Sequence, residues 1–206
     1  MCVVCVVCRI KLIKGKLQKT RMRIKTSKEE IIDLTKAWVA ISIAFGIILS
    51  DTIGLVNAVF VAAFSVGLGF LLHELAHKLV AQHYKCFAEF RSFDPMLLLA
   101  IGMSFLGFVF AAPGAVMIQG FVDYRKNGII SVAGPITNLV LATIFLGTLA
   151  LGIFPLVSQY GFIINSWLAV FNMIPIWQLD GKKVFIWNKA VYFIVLAIAV
   201  FYSFIL

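Results

Sequence analysis

The chain has 206 residues, of which 62% are hydrophobic and 13% charged, and its mean hydropathy is +1.03. A soluble domain is about half apolar and about a quarter charged, and a core of one domain's size cannot hide this much apolar surface. These values exclude an ordinary cytosolic protein and a disordered chain, and leave an integral membrane protein. The net charge of +9 is concentrated near the start, where basic residues run from Arg9 to Lys36 against Glu29, Glu30 and Asp33.

Residues 1–30 therefore read as a basic arm. The positive-inside rule places it in the cytoplasm, against anionic headgroups. Only an arm is basic, so no nucleic-acid partner is expected. Cys2, Cys5 and Cys8 have metal-like spacing but no fourth ligand nearby, and the remaining cysteine is Cys86. Disulfides are not expected on the cytoplasmic side. Met22 offers an alternative start, which would leave residues 1–21 outside the natural product. No cleavable signal is evident, because the basic stretch follows the short apolar patch instead of preceding it.

Residues 31–206 read as a transmembrane domain. Between Lys36 and Glu74 the one charge is Asp51, and the length fits two helices of about twenty residues each. They are expected at 31–50 and 53–80, turning at Asp51-Thr52-Ile53-Gly54. Further apolar stretches run 96–118, 129–151, 160–178 and 190–206, with polar breaks at 82–95, 119–128 and 180–189.

The stretch 96–118 decides the layout. If it dips in and returns, three groups of basic residues all face the cytoplasm: Lys78, Lys85 and Arg91; Arg125 and Lys126; Lys182, Lys183 and Lys189. The uncharged 152–160 turn then faces out, and the positive-inside rule holds throughout. Gly102, Gly107, Pro113 and Gly114 also make a continuous helix there unfavourable. Re-entrant backbone needs protein or a wet cavity to satisfy it. The expected fold class is an all-α, polytopic helix bundle of five to six transmembrane helices, with a re-entrant or β-like segment near 96–118. The expected location is the cell membrane, multi-pass, with a cytoplasmic N-terminus.

The chemistry-bearing run is His73-Glu74-Leu75-Ala76-His77. Helix periodicity sets residues four apart on one face, so His73 and His77 can present two imidazoles to one zinc. Glu74 can serve a metal-activated water as its base. Ionisable groups inside a span are costly and mark function. A catalytic zinc has three protein ligands and an open position, so a third ligand is needed. His83 has the spacing of an extended zinc motif, but Val80 stands where that motif turns on glycine. In a continuing helix His83 lies about 240° round from His77. Glu89 follows a loop. Asp180 ends an apolar segment at the same membrane face as His77 in the favoured layout.

Three elements in this order carry a resemblance: His73-Glu74-x-x-His77, then Gly134-Pro135-Ile136-Thr137-Asn138, then Asn172-x-x-Pro175 leading to Leu179-Asp180-Gly181. The chain resembles the site-2 protease family of intramembrane zinc metalloproteases over residues 53–189. The resemblance implies His73, His77 and Asp180 as ligands of one Zn2+ per chain, with Glu74 as catalytic base. Trp177 and Gln178 stand where the family usually has further prolines. The first span and the basic arm lie outside the match.

The activity so implied is hydrolysis of peptide bonds within or near transmembrane segments, with a transmembrane or membrane-anchored protein as substrate and the lipid bilayer as surroundings. Asn172 and Asn138 are polar groups in apolar runs that could donate to an oxyanion or hold substrate backbone, or tie helices together. A substrate helix must unwind before cleavage, and the β-prone piece around Ala115, Val116 and Met117 is a candidate edge to hold the unwound stretch. The alternative is a membrane zinc-binding or zinc-transport protein, which would need ligands or acids strung across the bilayer. The outer halves of the spans offer none beyond Asp51.

Overall fold

The computed structural model describes residues 25–109 and 113–205, and the backbone of 5–7. Most of the basic arm, with Cys2 and Cys8, lies outside the described residues. Helix α1 (Lys28–Ile53) begins where the Ser27 side chain accepts the Glu30 amide at 3.1 Å, and Glu29 and Glu30 occupy its positive first turn. It stops at Gly54, whose φ of 77° few other residues adopt. Helix α2 (Leu55–Ala62), a π-helical turn (Ala63–Gly67) and α3 (Leu68–His83) follow as one continuous rod.

Strand β2 (Phe87–Ser92) and helix α4 (Asp94–Ser104) come next, with Pro95 in the first turn of α4, where its missing N–H costs nothing. Strand β3 (Gly114–Gln119) returns antiparallel to β2, pairing Ser92 with Gly114 and Phe87 with Gln119. On its other side β3 pairs in parallel with β1 (Cys5–Val7) at Met117, Ile118 and Gln119. The stretch 96–118 is thus not one helix but a helix followed by a strand. The polar break 82–95 holds β2, and the break 180–189 is largely helical.

Helix α5 (Tyr124–Ala150) is capped by Asp123, which accepts the Lys126 amide at 2.7 Å, and carries Pro135 inside. Helices α6 (Pro155–Asn172), α7 (Asp180–Trp187) and α8 (Lys189–Ser203) complete the chain.

Among the described residues, three stretches are long and apolar enough to cross a membrane: Lys28–Ile53, Leu55–His83 and Tyr124–Ala150. Helix α6 has the length as well, but Gln159, Asn165 and Asn172 interrupt its apolar run. The packing is compatible with a membrane protein. Small residues such as Ala37, Ala44, Ala58, Ala62 and Ala142 fill the helix contacts, while Val56, Phe60, Val140, Ile144, Phe193 and Phe201 point outward. Close backbone approach through small side chains is how helices associate in lipid.

The described residues form two apolar cores. One joins α1, α3, α4, β2 and β3 around Phe70, Phe90, Val116 and Ile118. The other joins α5, α6, α7 and α8 around Leu139, Met173, Val184 and Val195. Helix α5 runs along the seam and contributes Ile130 to the first and Val132 to the second.

Lys78, counted with the cytoplasmic loop charges from the sequence, is instead buried within α3. Its ammonium meets Glu30 Oε2 at 2.6 Å and Thr26 Oγ1 at 2.8 Å, and Glu30 Oε1 accepts the Phe90 amide at 3.0 Å. A buried charge persists only when paired and hydrogen-bonded. This pair fastens the start of α1 to α3 and β2.

Candidate metal centre

His73 and Glu74 sit side by side on α3 with His77 one turn further on, at 2%, 1% and 0% exposure, and Asp180 at the start of α7 is also fully enclosed. Four buried ionisable groups in an apolar bundle are too costly to persist without charge compensation. The chain turn that delivers Asp180 is tight. Helix α6 ends at Asn172, Trp177 takes a positive φ of 51°, and Gly181 packs so closely on the Met173 carbonyl that any side chain there would overlap it. Gly134 has the matching role on α5, since a Cβ there would overlap the Nε2 atoms of both His73 and His77.

Both imidazoles turn Nδ1 away from the centre. His77 Nδ1 donates to the Ile130 carbonyl at 2.7 Å, and His73 Nδ1 donates to Asn138 Oδ1. The Nε2 atoms face each other at 3.0 Å, and Asp180 Oδ2 lies 3.0 Å from His77 Nε2 and 3.4 Å from His73 Nε2. Three electron-rich atoms at these separations repel unless positive charge sits among them. A single proton serves one edge of the triangle, whereas a divalent cation serves all three.

Tetrahedral zinc, with bonds of about 2.0–2.1 Å, sets its ligand atoms about 3.3 Å apart, within the span of the observed edges. Two imidazoles and a carboxylate also make a normal donor set for that ion, so the three side chains are compatible with zinc. Outward Nδ1–H groups held by oxygen acceptors are the usual backing of a metal-binding histidine.

Asp180 Oδ1 lies 3.3 Å from the Lys183 ammonium. Burial alone would raise the Asp180 carboxyl. The charge that His77 carries when protonated and the Lys183 ammonium outweigh it, and hold the group well below the usual carboxylate range.

A protein of Methanocaldococcus jannaschii named "Putative zinc metalloprotease" is 38% identical over 179 residues, covering 82% of this chain and 90% of the relative. The chain belongs to its family. Family membership and a buried His73, His77 and Asp180 group point to the same chemistry, that of a zinc metalloprotease. No protein-family model matches the chain, and no solved structure matches it either.

The other candidates from the sequence fall as follows in this family member. His83 is exposed and stacks edge-on with Tyr84, and Glu89 pairs with Arg91 on the sheet. Neither joins the metal-compatible group among the described residues. Asn138 has its oxygen on His73 and its amino group on the Gly69 carbonyl at 3.3 Å and on Asn165 Oδ1 at 2.9 Å. That pattern ties helices together behind the imidazole.

Asn172 donates to the Leu168 carbonyl at 2.9 Å, and its buried Oδ1 has no hydrogen-bond partner among the described residues. Among the described residues Ala115 and Val116 pair with β2 alone, whereas Met117 is paired on both sides. Sequence reasoning missed Asn165, although it lies two helical turns before Asn172 and so on the same face. It also missed the spatial need for Gly134.

Proposed function

We propose that this chain is an intramembrane zinc metalloendopeptidase of the site-2 protease type, cutting transmembrane or membrane-anchored proteins. The observation that carries the reading is the closed triangle of His73 Nε2, His77 Nε2 and Asp180 Oδ2 inside an apolar bundle, with Glu74 one residue along the same helix. In this reading His73, His77 and Asp180 hold one zinc, which when bound supplies Lewis acidity toward a water and the scissile carbonyl. Glu74, buried and within electrostatic reach of His77, takes the proton from the attacking water. The water oxygen bonds to the scissile carbon while the carbonyl electron pair moves onto its oxygen; as that carbonyl re-forms the C–N bond breaks, and Glu74 passes its proton to the leaving amine nitrogen.

Asn172 is the candidate donor to the developing oxyanion. The part of β3 at Ala115 and Val116, which among the described residues pairs on its β2 side alone, is the candidate edge for an unwound substrate strand. Five spans with 96–118 returning to the cytoplasmic face, a cytoplasmic N-terminus and residence in the cell membrane complete the reading. They are supported by the basic loops and by the interruption of 96–118 after Ser104.

Glu74→Gln tests it. The variant is expected to keep zinc and to lose cleavage of a transmembrane substrate by at least about a hundredfold. Cleavage at the parent rate would end the proposal. A transport reading is not favoured, because the metal-compatible cluster found among the described residues stands alone with no ladder of ligands leading away from it.

A further inference from the structure

Behind His73 lies a chain of amides that reaches into a third helix. Asn165 on α6 donates from Nδ2 to the Gly161 carbonyl at 2.9 Å and to the Ser65 carbonyl at 3.4 Å. Its Oδ1 accepts from Asn138 Nδ2 at 2.9 Å. Asn138 Oδ1 in turn accepts from His73 Nδ1. Ser65, Asn138 and Asn165 are fully buried, so these links have no water standing in for them. The approach depends on Gly69, where any Cβ would overlap the Asn165 amide. It also depends on the π-helical turn that contains Ser65, a local widening of the kind that recurs at functional sites.

We infer that Asn165 is a positioning residue for the metal centre, acting through Asn138 to fix which nitrogen of His73 faces the ion; this rests on the zinc reading above. The reasoning is directional. An asparagine amide can turn over with almost no change in shape, so its shape does not say which end is which. Backbone carbonyls only accept, so Asn165 must point its amino group at Gly161 and Ser65. Its oxygen must then face Asn138. That oxygen demands the Asn138 amino group, which leaves the Asn138 oxygen to receive the His73 Nδ1 proton. Nε2 is left with its lone pair turned to the centre.

If Asn138 turned over, its amino group would meet Nδ1 and favour the tautomer protonated at Nε2, which has no lone pair to offer toward the centre. The Gly69 carbonyl opposes that turn at 3.3 Å, and the shorter bond to Asn165 opposes it more strongly. Two polar side chains on different helices are thus aligned so that one imidazole is correct before metal arrives.

The test is zinc affinity of the purified full-length chain by chelator competition, for the parent, Asn138→Ala, Asn165→Ala and the double variant. Loss of a hydrogen-bonding partner behind a metal ligand typically weakens binding by about 10–100-fold. Asn138→Ala is expected in that range and Asn165→Ala near about tenfold. The double variant should be no more than about twofold weaker than Asn138→Ala alone, because Asn165 acts through Asn138. The chain has three histidines, so ring nitrogen NMR of the zinc-free protein can follow His73. It should show protonation at Nδ1 in the parent and a tautomer mixture in Asn165→Ala. A residue that only packs helices would lower the melting temperature and leave that spectrum alone.

Asn165→Val, close to asparagine in volume, carries the same expectations should the alanine variant fail to fold. Parent-like zinc affinity and an unchanged His73 spectrum in the Asn165 variants would overturn the inference. So would single losses that multiply in the double variant. A parent that binds no zinc would overturn the underlying reading, and this inference with it.

Discussion

His73 and His77 reach the centre from one helix, four residues apart, while Asp180 comes from the opposite core near the end of the chain. On the α3 side the backbone geometry of a helix does the placing, and any sequence that stays helical there brings the two imidazoles together. On the α7 side nothing local suffices. Asp180 arrives because α6 stops at Asn172, the chain turns through Trp177, and Gly181 lets α7 lie against the Met173 carbonyl. Helix α5 forms the seam between the two sides, and at Gly134 it has no side chain to keep them apart. The α3 half is therefore placed by its own helix, with its neighbours left to orient the rings, whereas the α7 half depends on its surroundings for its very position.

The strongest way to break this contrast is to remove the remote ligand. Asp180→Ala should abolish stoichiometric zinc while leaving the helix content unchanged; metal analysis beside circular dichroism would show it. Zinc retained at parent level would mean that the ion is held elsewhere. Next in size is Gly134→Val, which pushes a branched side chain into both imidazoles. It should weaken zinc binding sharply without touching a ligand, and chelator competition would report the loss. Parent-like affinity would show that the seam has room the packing denies.

The buried pair sharpens the α3 side. Glu30→Gln leaves the Lys78 ammonium enclosed without its carboxylate, which should cost about 3–5 kcal/mol of stability. Glu30→Gln combined with Lys78→Met, which removes the stranded ammonium and keeps an acceptor for the Phe90 amide, should recover much of that loss, as read from thermal melts in detergent. Smallest are the helix caps, one in each half. Ser27→Ala at α1 and Asn188→Ala at α8, whose side chain accepts the Val191 amide at 3.1 Å, should each cost about 1 kcal/mol. Neither should alter zinc affinity, and a change in affinity would tie the cap to the site.

The same division governs what the sequence discloses. The break at Gly54, the course of α5 and the pairing of His73 with His77 follow from periodicity and from one flexible residue, and are legible locally. Asp180 was one of three third-ligand candidates from the residues alone. His83 and Glu89 were the others, disfavoured by helix geometry and by the loop before Glu89, and the resemblance implied Asp180; the fold brings Asp180 within 3.4 Å of both imidazoles. Strand β2 was hidden because Glu89, Arg91 and Ser92 make it read as a polar loop, and its partner β3 lies beyond an intervening helix. Lys78 read as a surface charge because its partner, Glu30, belongs to a different helix. Asn165 went unnoticed for a related reason: an asparagine in an apolar helix declares a need for partners, but not which ones.

Zinc K-edge absorption fine structure on the purified chain bears on the whole argument. The expected first shell has two imidazole nitrogens and oxygen donors at about 2.0–2.2 Å, at one zinc per chain. A sulfur shell near 2.3 Å, which would move the ion to the cysteines of the basic arm, or a protein that retains no zinc, would contradict it.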